Sequence, residues 1–282
     1  MPTERARGYD HVLHAVAQII RDVVRQAGLP EAPLPPIGVG MPGAVTRAGV
    51  VKNSNTTCLN GRPFRHDLIR LLGQPIWFAN DANCFALAEA VFGAGRGHDL
   101  VFGVIMGTGV GGGIVLASQS RGIAPHSWDG PQGIAGEWGH VTLDPDSGPT
   151  CYCGRRGCIE TYLSGPAIEA DYARRSGQRL PLPQIAARAA APDCLDAHAA
   201  DTLRAACRIF GRAVATVINI LDPDVIVLGG GVAHLDLWFD AGRHEVQNWI
   251  FSDELTTPIV RYQISDSAGV IGAALLPAAP GT

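Results

Sequence analysis

Apolar positions near the start of the chain recur with helical spacing: Val12, Ala15, Val16, Ile19, Ile20, Val23 and Val24 share one face of a segment from Tyr9 to Ala27, which Gly28 ends. After a proline-rich link, Ile37 to Gly43 (IGVGMPG) predicts a short apolar strand entering a glycine turn. Phe64 to Leu72 returns to helical spacing with Leu68, Leu71 and Leu72 inward. Ile76 to Ala79 predicts a buried strand that passes through Asn80, Asp81 and Asn83 into a helix carrying Phe85, Leu87, Ala88 and Val91. Leu100 to Met106 is another apolar strand, and strand character resumes at Ile114 beyond a run of glycines. Further on, Gly165 to Ser176 and two later segments, the last closing with Leu203 to Leu221, predict helices. Val225 to Leu228 has the uninterrupted apolar character of a parallel strand, and Gly229 to Gly231 would let a following helix start close against it or against a flat ligand. Pro258 to Ile264 predicts a last strand, and Ser267 to Leu276 a closing helix with Gly269 and Gly272 on one face for close packing. The tail PAAPGT is expected to fray.

Composition narrows the partners. Of 282 residues, 46% are hydrophobic, enough for a real core in one large domain or two lobes. Charged residues are 17% and the formal net charge is −4 with no basic run, which argues against nucleic acid and anionic membranes as main partners. The opening MPTERARGYDHV has no signal-peptide stretch, and no apolar run reaches the ~20 residues a membrane helix needs. With seven cysteines, three of them clustered at metal-binding spacing, a reducing, cytoplasmic location is expected.

Candidate chemistry concentrates between Gly136 and Gly165. That stretch brings Glu137, His140, Cys151, Cys153, Cys158 and Glu160 together. Three thiols and one imidazole make a closed, tetrahedral Zn²⁺ site in which His140 supplies the fourth ligand. Cys151 and Cys153 are too close in sequence to prefer each other as a disulfide, and Gly154 and Gly157 supply the φ > 0 turns such a loop needs. A set of free or buried thiols in a glycine-rich loop is the alternative. A four-ligand zinc has no open position for water, so it would be structural and would hold Glu137, His140 and Glu160 rigid for hydroxyl recognition.

Three further features leave alternatives open. Asp81 is either a helix N-cap or a carboxylate at the carboxyl end of a strand, where α/β folds place ligands. Gly107, Thr108, Gly109, Val110, Gly111, Gly112 and Gly113 form a turn whose N–H groups could surround phosphate oxygens, or a hairpin with no ligand; the run fits neither the Walker A spacing nor the dinucleotide fingerprint. Asn53, Asn55 and Asn60 could bond a polyol, but asparagines are ordinary turn residues.

Taken together, GMPG, NDANCFALAEA, GTGVGGG, GEWGH, CYCGRRGCIETYLSG and DPDVIVLGGG resemble, in order and over nearly the whole chain, the ROK family of sugar kinases. Within it, GVVKNSNTTCLNGRPF, CYCGRRGCIET and NILDPDVIVLGGG are most similar to the bacterial fructokinase (manno(fructo)kinase) branch, with N-acetylglucosamine kinase and glucokinase next. The resemblance implies an α/β, two-lobed, actin-like (ribonuclease H-like) ATPase fold. Residues 1–101 with 268–282 would form the N-terminal lobe, and 102–267 the C-terminal lobe with the zinc loop. It implies ATP and Mg²⁺ as cofactors, structural Zn²⁺, a homodimer, and phosphorylation of a hexose 6-hydroxyl, fructose foremost. Asp81 then corresponds to the general base; Asn80, Asp81, Glu137, His140 and Glu160 to the sugar ligands; Gly107 to Gly113 to a phosphate loop; and Gly229, Gly230 and Gly231 to the nucleoside contact. His140 could serve both metal and sugar through its two ring nitrogens. ROK kinases open with a β-hairpin bearing an Asp-x-Gly-Gly-Thr-Lys phosphate loop, whereas this chain resembles the family from the segment just after it. The expectation is an N-terminal lobe without that hairpin, its sheet showing an apolar edge.

Overall fold

The computed structural model describes residues 4–30, 32–46, 48–191, 196–265 and 267–278. In the first hundred residues, α1 (Tyr9–Gln26) is followed by β1 (Ile37–Met41), the short strands β2 (Ala44–Val45) and β3 (Val51–Lys52), α2 (Phe64–Leu72), β4 (Ile76–Asn80) and α3 (Asp81–Phe92). Then come β5 (Leu100–Met106), β6 (Val110–Ser118), β7 (Ile123–Ser127), a long loop, α4 (Glu160–Leu163), α5 (Gly165–Ser176), α6 (Leu182–Ala190), α7 (Ala197–Leu221), β8 (Val225–Gly229), α8 (Ala241–Gln247), β9 (Ile259–Arg261) and α9 (Ala268–Leu275).

β5 to β9 make one mixed sheet in the order β7-β6-β5-β8-β9, with β7, β6 and β5 antiparallel and β5, β8 and β9 parallel. That is the sheet of a ribonuclease H-like lobe, and the α/β, actin-like class expected from the sequence holds. One face of the sheet buries Phe102, Val104, Ile226 and Leu228 beneath α7, whose inner stripe includes Phe210, Ala213, Val214 and Val217. The other face receives α3, which is apolar on nearly every side (Ala82 to Ala90 all buried) because it is sandwiched between the sheet and α9. Gly103 lets α3 sit directly on β5, since a Cβ there would stand 2.6 Å from that of Ala86.

The N-terminal elements have a smaller core of their own. β1 and β4 pair in parallel from Ile37↔Ile76 to Met41↔Asn80, and among the described residues β1 has no strand partner on its other edge. Tyr9, Val12, Leu13, Phe64 and Leu68 of α1 and α2 pack with Ile37 and Ile76. α9 crosses the opposite face so closely that a Cβ on Gly38 would collide with the Ala273 carbonyl oxygen. Among the described residues no helix is long and apolar enough to cross a membrane.

Four expectations change. The last strand runs only over Ile259–Arg261, not to Ile264, because the Gln263 and Ile264 amides donate to the buried Glu89 carboxylate instead of a strand neighbour. Past Gly229–Gly231 the chain makes two 3-10 turns, Gly231–His234 and Asp236–Trp238, before any α-helix. There the fully buried Trp238 donates its indole N–H to the Val232 carbonyl at 2.7 Å. Of the two glycines in α9, only Gly272 is a contact requirement, its position facing the Cys84 backbone; nothing lies near a Cβ on Gly269. Strand character resumes at Val110, so Gly111 to Gly113 lie within β6. Residues 279–282 of the tail expected to fray lie outside the described residues.

Candidate active site

The carboxyl end of β4 meets the amino end of α3 at Asn80–Asp81. Asn80 is the N-cap: its Oδ1 accepts from the Ala82 amide at 2.8 Å while its Nδ2 donates to the Gly43 carbonyl at 3.0 Å, tying the helix start to the turn after β1. Capping is therefore Asn80's work, and Asp81 is the first residue of the helix proper. One Asp81 oxygen accepts from the Ala82 amide at 2.9 Å, and among the described residues no side chain hydrogen-bonds its carboxylate. It opens to solvent in the cleft, yet the surrounding protein replaces enough water that burial raises its pKa above the ordinary carboxylate value, against the lowering effect of the backbone amides.

The opposite wall is the long loop between β7 and α4, which has almost no regular structure. Short backbone links shape it: Thr142 bridges Cys158, Thr150 bridges Arg156, and the Gly157 amide donates to the Pro149 carbonyl at 2.8 Å. Gly154 (φ 88°) and Gly157 (φ 64°) sit in the left-handed region, as the sequence predicts, and a Cβ on Gly157 would collide with the Asp144 carbonyl oxygen. The result gathers His140, Cys151, Cys153 and Cys158, whose ligand atoms all lie within 4.8 Å of one another. His140 Nδ1 is 3.6 Å from Cys151 Sγ, and Cys153 Sγ is 3.6 Å from Cys158 Sγ. Zinc bonds of about 2.0–2.3 Å in a tetrahedron give ligand-to-ligand edges of about 3.5–3.8 Å. The donor set fits a Cys3His metal site. Burial pushes the Cys151 thiol up to about 12, so a thiolate there needs a cation beside it.

The two walls face each other across one cleft. Asp81, Glu137, His140 and Glu160 line a single cavity of about 230 Å³, together with Asn80 and the turn at Gly107–Gly109. Burial raises the Glu137 carboxyl above its usual range, with His140 opposing the shift. Glu160 lends one oxygen to the Val110 amide at 2.9 Å, which fastens the glycine turn to α4. The run from Gly107 to Gly113 thereby divides: Gly107, Thr108 and Gly109 form the turn, whereas Gly111 to Gly113 line up within β6. A Cβ on Gly113 would meet the Ala82 carbonyl, and one on Gly112 the Trp138 ring, so close packing accounts for these two. Gly229 to Gly231 end β8, and the register pairs Ile105 with Gly229, placing this turn beside the Gly107 turn but outside the cavity lining. Gly230 (φ 83°) sits against the Met106 carbonyl. Of the three asparagines, Asn53 and Asn55 reach the cavity; Asn60 is a turn residue, exchanging two 2.9 Å hydrogen bonds with the Ser54 backbone.

Two side chains escaped the sequence argument. Asp129 accepts from the buried Asn83 amide at 2.7 Å, and burial raises its carboxyl; nothing local in WDGPQG signals this contact. Tyr152 projects beside the site with its Oη 3.0 Å from His140 Nε2. Its place between two ligand cysteines was the available signal.

A family model described as "ROK family" matches residues 2–279. N-acetylgalactosamine kinase AgaK of Shewanella sp. (strain ANA-3) is 36% identical over 250 residues, covering 85% of this chain and 77% of its own. The glucokinase of Thermotoga maritima is 32% identical over 283 residues, covering 95% and 85%. Among solved structures, a ROK hexokinase from Thermus thermophilus superposes with a TM-score of 0.80 at 32% identity, covering 98% of this chain and 88% of that one. A ROK glucokinase from Streptomyces griseus in complex with glucose and AMPPNP gives 0.73 at 27%, covering 95% and 87%. A ROK family transcriptional regulator, homologous to the E. coli MLC protein, gives 0.78 at 27%, covering 95% and 68%. None of these five is named as a fructokinase.

Proposed function

This chain belongs to the ROK family, and from that premise we propose that it is an ATP-dependent sugar kinase acting on a hexose 6-hydroxyl, with Asp81 as general base. The observation that carries the proposal is the single cleft in which Asp81 faces Glu137, His140 and Glu160 beside the Gly107–Gly109 turn. In the proposed reaction the sugar oxygen attacks the γ-phosphorus of ATP, Asp81 takes the hydroxyl proton, and ADP leaves. Burial suits Asp81 to this task, because a carboxylate with a raised pKa is a stronger base. Glu137, Glu160 and the His140 ring would orient the sugar hydroxyls, and the Thr108 hydroxyl with the Thr108 and Gly109 amides would meet phosphate oxygens, the Gly107 amide already donating to the Gly109 carbonyl. Gly229–Gly231, at the end of the neighbouring strand, would approach the nucleoside. Mg²⁺ would neutralise phosphate charge during transfer. Zn²⁺ at His140, Cys151, Cys153 and Cys158 would fix the loop that carries the sugar ligands. Two lobes, 1–101 with 268–282 and 102–267, a homodimer and a reducing cytoplasmic location complete the reading.

Fructose is the substrate proposed from the sequence branch; glucose and N-acetylhexosamines compete, because relatives are named for them. A coupled ADP assay over a hexose panel decides among these. The similarity to a transcriptional regulator supports a second reading, a non-catalytic sugar sensor. Calorimetric sugar binding without ADP release from any hexose would favour the sensor, or a kinase chain without the Asp-x-Gly-Gly-Thr-Lys loop.

A further inference from the structure

Between β7 and Glu137 the chain runs through Gly130–Gly136 (GPQGIAG), a stretch without helix or strand in which Gly130 (φ 70°), Gly133 (φ 69°) and Gly136 (φ 89°) are all left-handed. Such a segment is costly to order unless something anchors it. Packing anchors its carboxyl end: Gly136 lies against the Gly112 carbonyl, and the Trp138 indole donates to the Gly111 carbonyl at 2.9 Å. Asp129 anchors its amino end. The Asp129 carboxylate accepts from the Asn83 side-chain amide at 2.7 Å and from the Ser127 hydroxyl. Its backbone carbonyl accepts from the Ala135 amide at 3.0 Å, two residues short of Glu137.

Asn83 is committed at both ends of its amide. It is 3% exposed, and its Oδ1 accepts from the Ile114 amide of β6 at 3.3 Å, so turning away from Asp129 would leave a buried polar group unpaired. It follows Asp81 by two residues in α3, roughly 200° further around the helix. The turn of helix that offers Asp81 to the cleft therefore offers Asn83 to β6 and to the loop. We propose that Asp129 is a positioning residue for the sugar site: through Asn83 it seats Gly130–Gly136, and hence Glu137, on the helix that begins at Asp81, and so sets the spacing of the two carboxylates across the cleft. The inference rests on the sugar-kinase reading of that cleft. Asp129 itself lines a separate hollow of about 180 Å³, which shares only Gly43 and Asn80 with the cavity of Asp81 and Glu137, so its action on the sugar is indirect.

Calorimetric dissociation constants for the hexose that wild-type protein binds test it without need of turnover. Asp129→Ala weakens hexose binding about tenfold or more, the scale of a misplaced binding group, while metal content by elemental analysis stays at the wild-type level. Asp129→Asn, whose amide oxygen can accept the same bond without the charge, stays within about threefold of wild type. Asn83→Ala weakens binding to a similar degree as Asp129→Ala, and the double variant is no worse than the weaker-binding single, because both changes cut one link. A lower Tm in Asp129→Ala with an unchanged hexose dissociation constant overturns the assignment, and so does a double variant whose losses multiply. Should Asp129→Ala fail to fold, Asp129→Glu replaces it, keeping the charge and displacing the acceptor by one methylene. Weaker binding in Asp129→Glu than in Asp129→Asn then supports the assignment, and equal or tighter binding refutes it. Wild-type protein that binds no hexose removes the sugar-kinase reading and this role together, whereas hexose binding untouched by Asp129→Ala removes the role alone.

Discussion

The two walls of the cleft are built by opposite means. On the Asp81 side, a parallel strand pair, a capped helix start and a hydrogen bond from Asn80 to the Gly43 carbonyl position the carboxylate through regular structure alone. On the facing side, Glu137 and His140 sit on a loop braced by two isolated bridges, close glycine approaches such as Gly139 against the Val110 carbonyl and Gly157 against that of Asp144, and four metal-type donors. The contrast teaches that the proposed base should keep its place whether or not a metal fills the facing donors, whereas Glu137 and His140 should depend on it.

Asp81→Asn breaks the comparison from the chemical side. It removes the base without disturbing the cap, so turnover falls by about 10²–10⁴-fold while the sugar dissociation constant from calorimetry changes little; turnover within threefold of wild type would strip Asp81 of its role. Cys158→Ser attacks the opposite wall: zinc content measured by elemental analysis drops, sugar binding weakens, and Tm falls on the order of 10 °C. If the serine variant holds metal and sugar as well as wild type, the loop does not depend on those four donors. Gly272→Ala tests the packing beneath the Asp81 wall, since its Cβ would stand 1.7 Å from the Cys84 carbonyl oxygen. Overpacking of this kind costs about 1–3 kcal/mol in urea unfolding and leaves metal content unchanged. Asn80→Ala removes the cap for a loss of about 1 kcal/mol, a smaller effect confined to the regular wall.

pH supplies the finest distinction. Because burial raises the Asp81 pKa, the proposed base is protonated at pH values where an ordinary carboxylate, near about 3.9, is already ionised. The acid limb of kcat/KM therefore lies above that ordinary value, with activity lost as pH falls through the raised pKa. The sign for stability is the reverse. The folded state holds this proton more tightly than the unfolded chain, so the Asp81 contribution is most favourable below the unfolded pKa and declines as pH rises through the folded one. Asp81→Asn, unable to ionise, flattens that decline in a series of urea titrations.

The helices and strands were largely legible because their apolar spacing reports directly which face is buried: α2, β5 and α5 run over the residues their periodicity predicts. The gathering of the Cys3His donors was legible too, since three cysteines and a histidine within twenty residues can reach one point. Harder to read were contacts that join distant segments. Glu89 looks like one more residue of an apolar helix, yet its carboxylate collects the Gln263 and Ile264 amides and so ends β9 early. The glycines of the 107–113 run look alike in sequence, but α3, Trp138 and the Glu160 carboxylate each press on different ones.

By itself, then, the sequence determined the elements, the loop able to gather four soft and borderline ligands, and the family pattern, all of which depend on residue type at short range. Tertiary structure alone decided that Asp81 shares a cavity with Glu137, His140 and Glu160, that Asn80 takes over the capping, and that Tyr152 sets its Oη against His140 Nε2. The reason is physical: those relations are fixed by how two separately cored regions pack across α3 and α9, and no local spacing along the chain encodes the distance between surfaces that meet only when the cores are full.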